Sequence, residues 1–277
     1  MAGGAADFFQ LDRARCVKCG ACVRDCAFKA LKADAEGAPV VAAPERCMRC
    51  QHCLAICPTG AVALDGHVAA DCPSAESAEL PTPKAVVDWM SFRRSIRSFR
   101  DEDVDPAVLD RILRVLGNSP TGCNARALTF TCFPNRKSMA DLRGRFLSAV
   151  AAPRPKLLPR WLAVPAIKLR RGESDMFFRG ASGLLLVSSD VSTPGVATPK
   201  EDVVIACSNF ELLANAHGIA TCWCGFMNLV QAEVPGLTEA IAGFPRTHPF
   251  AAILFGLPAV RYPRGVCRED SAKIIYH

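Results

Sequence analysis

The sequence predicts a two-domain chain of mixed helix and strand. A small cysteine-stapled domain (1–70) is joined by a linker (71–84) to a larger α/β or α+β domain (85–277). Three observations lead there. Eight of the fifteen cysteines lie in two lines that repeat each other, RCVKCGACVRDCAFKAL and RCMRCQHCLAICPTGAV. Residues 71–84, DCPSAESAELPTPK, are rich in Pro, Ser and Ala without apolar periodicity, as a linker is. From Ala85 onward helical and strand patterns alternate over a length that suits one domain.

The repeat comes first. A [4Fe–4S] cube needs four thiolates converging on an object a few ångströms wide. C-x2-C-x2-C places three of them on one tight loop, and in the two-cluster ferredoxin pattern the fourth ligates the other cluster. Cys16, Cys19 and Cys22 are thereby expected to join Cys57 on one cluster, and Cys47, Cys50 and Cys53 to join Cys26 on the other. Crossed ligation staples the half-repeats together, so a domain this small can fold around its metals. Pro58 follows Cys57 as the pattern asks, whereas Ala27 follows Cys26. Zinc is the competing reading. It takes four ligands from paired C-x2-C units, and the third cysteine in both halves would be surplus. His52 is expected to be a neighbour, not a ligand.

Beyond the linker, DPAVLDRILRVLG reads as a helix. Asp105 caps it, Pro106 fits the first turn, Leu109, Ile112, Leu113 and Leu116 share a face, and Gly117 ends it. A second helix runs from about Glu201 to His217 and closes at Gly218. LTFTCF (128–133), LLLVSS (184–189) and AAILFG (251–256) read as strands.

Composition narrows the function classes. Half of the residues are hydrophobic, enough for a sizeable core, but the longest apolar runs are too short and Pro-broken to span a bilayer. MAGGAADFFQLD lacks the basic start of a secretory signal, so a soluble cytoplasmic protein is expected. In a reducing compartment this many cysteines argue for metal ligation over disulfides. The net charge of +6 is modest, and much of the excess lies between Arg136 and Arg171. No interleaved aromatics or binding motif accompany it, so a solvated basic face is expected in place of a nucleic-acid site, with an acidic electron-transfer partner as the alternative. No Gly-rich fingerprint follows a strand, which removes support for a dinucleotide-binding Rossmann site.

Iron–sulfur clusters carry single electrons and do little chemistry on closed-shell molecules, so residues 1–70 read as a wire whose destination lies further on. FRRSIRSF (92–99) gives a basic cluster beside Ser, SPTGCNARALTF (119–130) a turn-rich loop with Asn, and FGLPAVRYPR (255–264) a late Pro-flanked arginine, with DVVIACSNFELLANAHGIATCWCGF (202–226) between the last two; arginines plus a hydroxyl suit a phosphate. In this order they resemble the FMN-dependent nitroreductase family, in its subgroup with an N-terminal two-cluster ferredoxin domain, over the whole chain. The early R-[RH]-S-x-R motif is matched by Arg93, Arg94, Ser95 and Arg97. The resemblance implies phosphate contacts from Arg93 and Ser95, with Arg97 at the ribityl chain or the O2 side of the ring. Pro120 and Asn124 match a loop that contacts ribityl or ring, although its usual Q-P-W is Arg126-Ala127-Leu128 here. Gly218–Gly225 match the segment that brings backbone amides to the flavin N5, implicating Cys224 and Gly225. Gly256, Pro258, Pro263 and Arg264 match the closing motif, which makes Arg264 a second phosphate ligand.

The same resemblance implies a three-layer α+β fold, a homodimer with FMN in a cleft of both subunits, and electron flow from a low-potential donor, ferredoxin or NAD(P)H, to a small acceptor. That acceptor is a nitro compound, a quinone or a similar electron-poor molecule. Two alternatives stand beside it: reductive dehalogenation on the same fold, and an electron-transfer module between protein partners. A zinc-structured binding protein is a third. Segment 136–180 is where a substrate lid is expected. Cys222 and Cys224 read as small packing residues rather than a redox pair. Cys72, Cys123, Cys132, Cys207 and Cys267 show no ligand spacing, and no residue stands out as a general acid.

Overall fold

A computed structural model describes residues 8–151, 158–268 and 271–277. The chain divides into two compact units, Met1–Pro81 and Thr82–His277. The division falls within the segment expected to be a linker, after two 3-10 turns at Ala69–Asp71 and Ala75–Ser77.

The first unit runs β1 (Phe9–Leu11), α1 (Ala21–Asp25), β2 (Leu31–Ala33), β3 (Pro39–Val41), α2 (His52–Ala55) and β4 (Val62–Leu64). β1 pairs antiparallel with β4, setting Phe9 opposite Leu64, and β2 pairs antiparallel with β3. Phe9, Cys22, Leu31, Leu54, Val62 and Leu64 form its small core. The repeat seen in sequence recurs in the backbone. Lys18 and Arg49 have φ of 54° and 52°, Gly20 and Gln51 70° and 64°, and Lys29 and Gly60 54° and 61°. Left-handed backbone is uncommon outside glycine. Four non-glycine residues adopting it at matched positions mark two loops bent to one pattern.

The second unit runs α3 (Pro83–Phe92), α4 (Pro106–Val115), β5 (Leu128–Phe133), α5 (Arg136–Ala151), α6 (Arg160–Arg170), β6 (Gly183–Ser189), α7 (Pro199–Ala216), β7 (Ala220–Trp223), α8 (Phe226–Glu233), α9 (Leu237–Ala242) and β8 (Phe250–Gly256). Its four strands pair antiparallel in the order β5-β6-β8-β7. Successive side chains of a strand point to opposite faces, and both faces are covered. Leu184 and Leu186 of β6 and Ala252 and Leu254 of β8 enter a core with α5, α6, α8 and α9. Leu185, Val187, Ile253 and Phe255 enter a second core with α4 and α7. This is the three-layer α+β arrangement. Gly183 lets β6 and β8 approach, since a Cβ there would lie 2.2 Å from the Phe255 ring.

The three strands expected from sequence are β5, β6 and β8. Both expected helices form, with the Asp105 carboxylate accepting the Ala107 N–H (2.8 Å) and α7 ending before Gly218 at φ 72°. Segment 136–180 differs from the expected lid. Met139, Leu142, Phe146 and Val150 of α5 are buried in the first core, so 136–151 is scaffold. Residues 152–157 lie outside the described residues. No helix among the described residues is long and apolar enough to cross a membrane.

Candidate functional site

In the first unit a cavity is lined by Cys16, Cys19 and Cys22 and, from the other half-repeat, by Cys57, with Pro58 beside it. Four thiols reaching one cavity from both halves form the donor set that crossed ligation requires, and they fit a cluster. Hydrogen bonding also repeats: the Ala61 N–H donates to Cys57 Sγ (3.2 Å) and the Ala30 N–H to Cys26 Sγ (3.3 Å). Burial raises the Cys57 thiol, but backbone donors such as Ala61 outweigh it and leave it below the usual range, as suits a thiolate ligand. Burial pushes Cys53 up to about 12, with the neighbouring Cys47 and Cys50 adding to the rise. Bound iron reverses that cost by supplying positive charge. The His52 ring Nδ1 lies 3.1 Å from Asp25 Oδ2. Among the described residues no three His, Cys, Asp or Glu side chains are placed to hold a single metal ion.

In the second unit, residues 91–100 form a strip laid across the sheet end. The Ile96 N–H donates to the Thr221 carbonyl (2.9 Å), the Arg100 N–H to Leu257 (2.8 Å) and the Ala259 N–H to Ser98 (3.0 Å). Gly256 permits the crossing, because a Cβ there would press on Phe99 at 3.0 Å. The strip therefore sets Arg97 beside the exit of β7, which could not be read from the spacing of the two motifs.

Two cavities meet at Arg97. The first, about 440 Å³, is lined by Arg93, Arg94, Ser95, Arg97, Tyr262 and Arg268, among others. The second, about 270 Å³, is lined by Arg97, Phe177, Arg179, Cys222, Trp223, Cys224, Gly225, Phe226, Leu229 and Leu254. One is a basic basin suited to phosphate, the other an aromatic-walled slot closed by the end of β7 and the start of α8. A flat ring with a phosphorylated side arm matches that pair of environments.

The individual arginines have different duties. Arg94 donates to the carbonyls of Ser91 and Arg93 (both 2.9 Å) and of Arg264 (3.2 Å), tying the end of α3 to the C-terminal tail. Arg93 donates to the buried carboxylate of Glu211 on α7 (3.4 Å). That carboxylate also accepts from Thr221 Oγ1 (3.1 Å) and Trp223 Nε1 (3.3 Å), so it links the basin to the wall of the slot. Burial pushes the Cys224 thiol up to about 12, and its Sγ donates to the Phe177 carbonyl (3.4 Å), consistent with packing. Cys222 is also raised by burial, against the lowering effect of Arg97 and Arg179.

Of the residues singled out from sequence, Arg93, Arg94, Ser95 and Arg97 line the basin and Cys224 and Gly225 line the slot. Neither Asn124 nor Arg264 lines these two cavities. Asn124 lies in the turn Gly122–Asn124 at φ 52°, where the Gly122 N–H donates to the buried Asp202 carboxylate (2.9 Å). Arg264 offers its carbonyl to Arg94. Arg268, Arg179 and Glu211 were not singled out. Only Glu211 carried a signal, an acid that, like Asp202 nearer the start of the helix, lies among the apolar residues of the buried face of α7.

Fold and site together define a class, a three-layer α+β oxidoreductase with a cysteine-repeat domain ahead of it. The nitroreductase family profile matches residues 90–257, more than half of the chain, and the 4Fe-4S dicluster domain matches residues 15–61. The chain belongs to the nitroreductase family. Membership makes it an FMN-dependent oxidoreductase, and the dicluster domain adds two [4Fe–4S] clusters.

Similar solved structures include a nitroreductase with bound FMN from Bacteroides fragilis, 22% identical, covering 69% of this chain and 98% of that one at a TM-score of 0.52. Another nitroreductase with bound FMN, from Desulfitobacterium hafniense, is 23% identical over 69% and 97% of the two chains, with a TM-score of 0.50. A nitroreductase-like family protein from Bacillus cereus is 18% identical over 72% and 100%, with a TM-score of 0.51. At these identities the likeness is one of fold. Iodotyrosine deiodinase from Hydra vulgaris is 41% identical over 54 residues, and the match spans about a fifth of either chain.

Proposed function

We propose that electrons from a low-potential donor pass through the two clusters to FMN, which reduces a nitro compound, a quinone or a similar electron-poor small molecule. The observation that carries this reading is the meeting of basin and slot at Arg97. When bound, FMN supplies a two-electron centre fed by single-electron clusters. Arg93, Ser95 and Arg268 offer the phosphate donors, and Glu211 holds Arg93 in position. Arg97 puts positive charge between phosphate and ring, which favours the reduced, more negative flavin. Cys224 and Gly225 present backbone at the slot, and Trp223, Phe177 and Phe226 shield it from water. Cys16, Cys19, Cys22 and Cys57 would hold one cluster and Cys47, Cys50, Cys53 and Cys26 the other.

The working form on this reading is a cytoplasmic homodimer, and the exposed Val204 and Leu212 of α7 and Leu229 of α8 offer apolar surface for it. Two measurements test the account. Arg97→Ala should lower the flavin midpoint potential, and an unchanged potential removes the role given to Arg97. In the double variant Cys16→Ala/Cys47→Ala, turnover driven by reduced ferredoxin should be lost. Full turnover with that donor would show that the clusters are not the electron path.

Reductive dehalogenation is a second reading, favoured by the local match to iodotyrosine deiodinase. A screen of nitroaromatics against halophenols under reducing conditions separates the two.

A further inference from the structure

The two half-repeats of the first unit match in backbone but not in charge. Lys18 and Arg49 hold equivalent places in the loops Cys16–Cys22 and Cys47–Cys53, and Arg15 and Arg46 precede the first cysteine of each. In the second half both cations are neutralised. Arg49 pairs with Asp65 and lies over the Phe8 ring, and Arg46 has Glu45 at 3.8 Å. In the first half Arg15 and Lys18 form no ion pair with any described residue. Asp12 is committed to the N–H groups of Ala14 and Arg15 (2.9 and 3.2 Å), and Asp25 sets its carboxylate 3.1 Å from His52 of the other loop.

The largest difference is Arg24, whose counterpart in the second half is Ala55. The Arg24 guanidinium folds back over its own loop and donates to the Cys19 carbonyl (2.9 Å). Gly20 gives it room, because a Cβ there would lie 2.9 Å from Arg24 Nη1, whereas the equivalent residue of the second loop is Gln51, at φ 64°. One half therefore carries a glycine and an arginine that fit together, and the other carries neither. The potential of an iron–sulfur cluster follows net charge, hydrogen bonds to sulfur and solvent exposure. Hydrogen bonding is matched, since Cys26 and Cys57 each accept one backbone N–H, from Ala30 and Ala61. Exposure is matched at the middle cysteines, Cys19 and Cys50, both of them exposed. Charge is the difference that remains.

We propose that Arg24 sets the order of reduction: its charge, held against the Cys16–Cys22 loop by the Cys19 carbonyl, gives the cluster on that loop the higher potential, so that it is reduced before the cluster on the Cys47–Cys53 loop. Positive charge favours the reduced, more negative form. Arg24 is exposed, so water and salt screen the effect and keep it moderate. The inference deepens the proposed electron path and rests on its two clusters, not on the identity of the donor or the acceptor.

The test uses the full-length protein, loaded with FMN and carrying about eight irons per chain, in an anaerobic redox titration followed by electron paramagnetic resonance of the reduced clusters. Wild type should show two cluster potentials, with the first electron favouring one cluster by about tenfold or more, at 59 mV per tenfold for one electron. Arg24→Gln keeps a donor for the Cys19 carbonyl and removes the charge. It should cut that preference by about threefold to tenfold, through a fall in the higher potential. Arg24→Lys, which keeps the charge, should stay within about twofold of wild type. The double variant Gln51→Gly/Ala55→Arg rebuilds the pair in the second half, where Ala55 is exposed, and should raise the lower potential by a similar factor. A preference within about twofold of wild type in Arg24→Gln would overturn the proposal. So would an equal change in Arg24→Lys, which would assign the effect to the geometry of the guanidinium and not to its charge. If Arg24→Gln loses iron, the second-half variant decides, and an unmoved lower potential overturns the proposal. Potentials that follow Arg24 in a protein without ferredoxin-driven turnover would uphold this inference and reject the electron path.

Discussion

The two units keep their shape by different means. The second has a sheet covered on both faces, with β6 buried along its whole length and large side chains such as Phe146, Phe178, Phe210 and Phe255 fully enclosed. The first has a core of six buried residues, one of them Cys22, with Cys26, Cys53 and Cys57 packed against it. It also contains several left-handed non-glycine residues, each of which costs free energy. Domains this small need staples. One unit is therefore held by hydrophobic burial and the other by the metal it carries, so the element that stabilises the first is also the one that gives it a function.

Removing a cluster should break that comparison most severely. Cys57→Ala is expected to strip the same cluster as Cys16→Ala, so the double variant should lose no more iron than either single. Additive iron loss would refute crossed ligation. In each variant the first unit should become protease-sensitive while the second retains its fold, since no contact of its two cores depends on iron. Limited proteolysis with mass spectrometry reads this directly.

A cavity in the other unit should have the opposite pattern. Phe146 packs against the rings of Phe177 and Phe178 at centroid distances of 4.9 and 5.3 Å. Phe146→Ala should cost about 3–5 kcal/mol in denaturant unfolding of the second unit and leave the iron content unchanged. A loss under about 1 kcal/mol would mean that α5 is closer to a lid than to scaffold. The mildest change concerns a cap. Asp105→Ala removes the side-chain acceptor for the Ala107 N–H and should cost about 1 kcal/mol, visible as a small shift in the unfolding midpoint.

Most of the fold was legible because its signals are local. Short apolar runs, alternating only in LTFTCF, placed β5, β6 and β8, while Asp105, Pro106 and Gly218 bounded α4 and α7. The cysteine spacing pointed to the two-cluster pattern that the dicluster match bears out, while the crossed assignment is a proposal, supported by the cavity that Cys57 lines with Cys16, Cys19 and Cys22. Helix α5 was missed because its basic residues hide a buried stripe of Met139, Leu142, Phe146 and Val150. The site was legible only in part. Arg93 to Arg97 form a compact motif, but Arg179 reaches the slot through a turn built by Asp175 and Glu211 through burial of α7, and neither relation is written in local sequence. Arg94 matched a motif, yet most of its guanidinium serves backbone carbonyls.

The central claim is that one chain joins two [4Fe–4S] clusters to one flavin. An anaerobic visible spectrum of the purified protein, with iron and flavin assayed on the same sample, tests it most directly. The account predicts about eight irons and about one FMN per chain, with flavin bands rising above a broad iron–sulfur absorbance. A colourless protein, or one with full iron and no flavin, would contradict it.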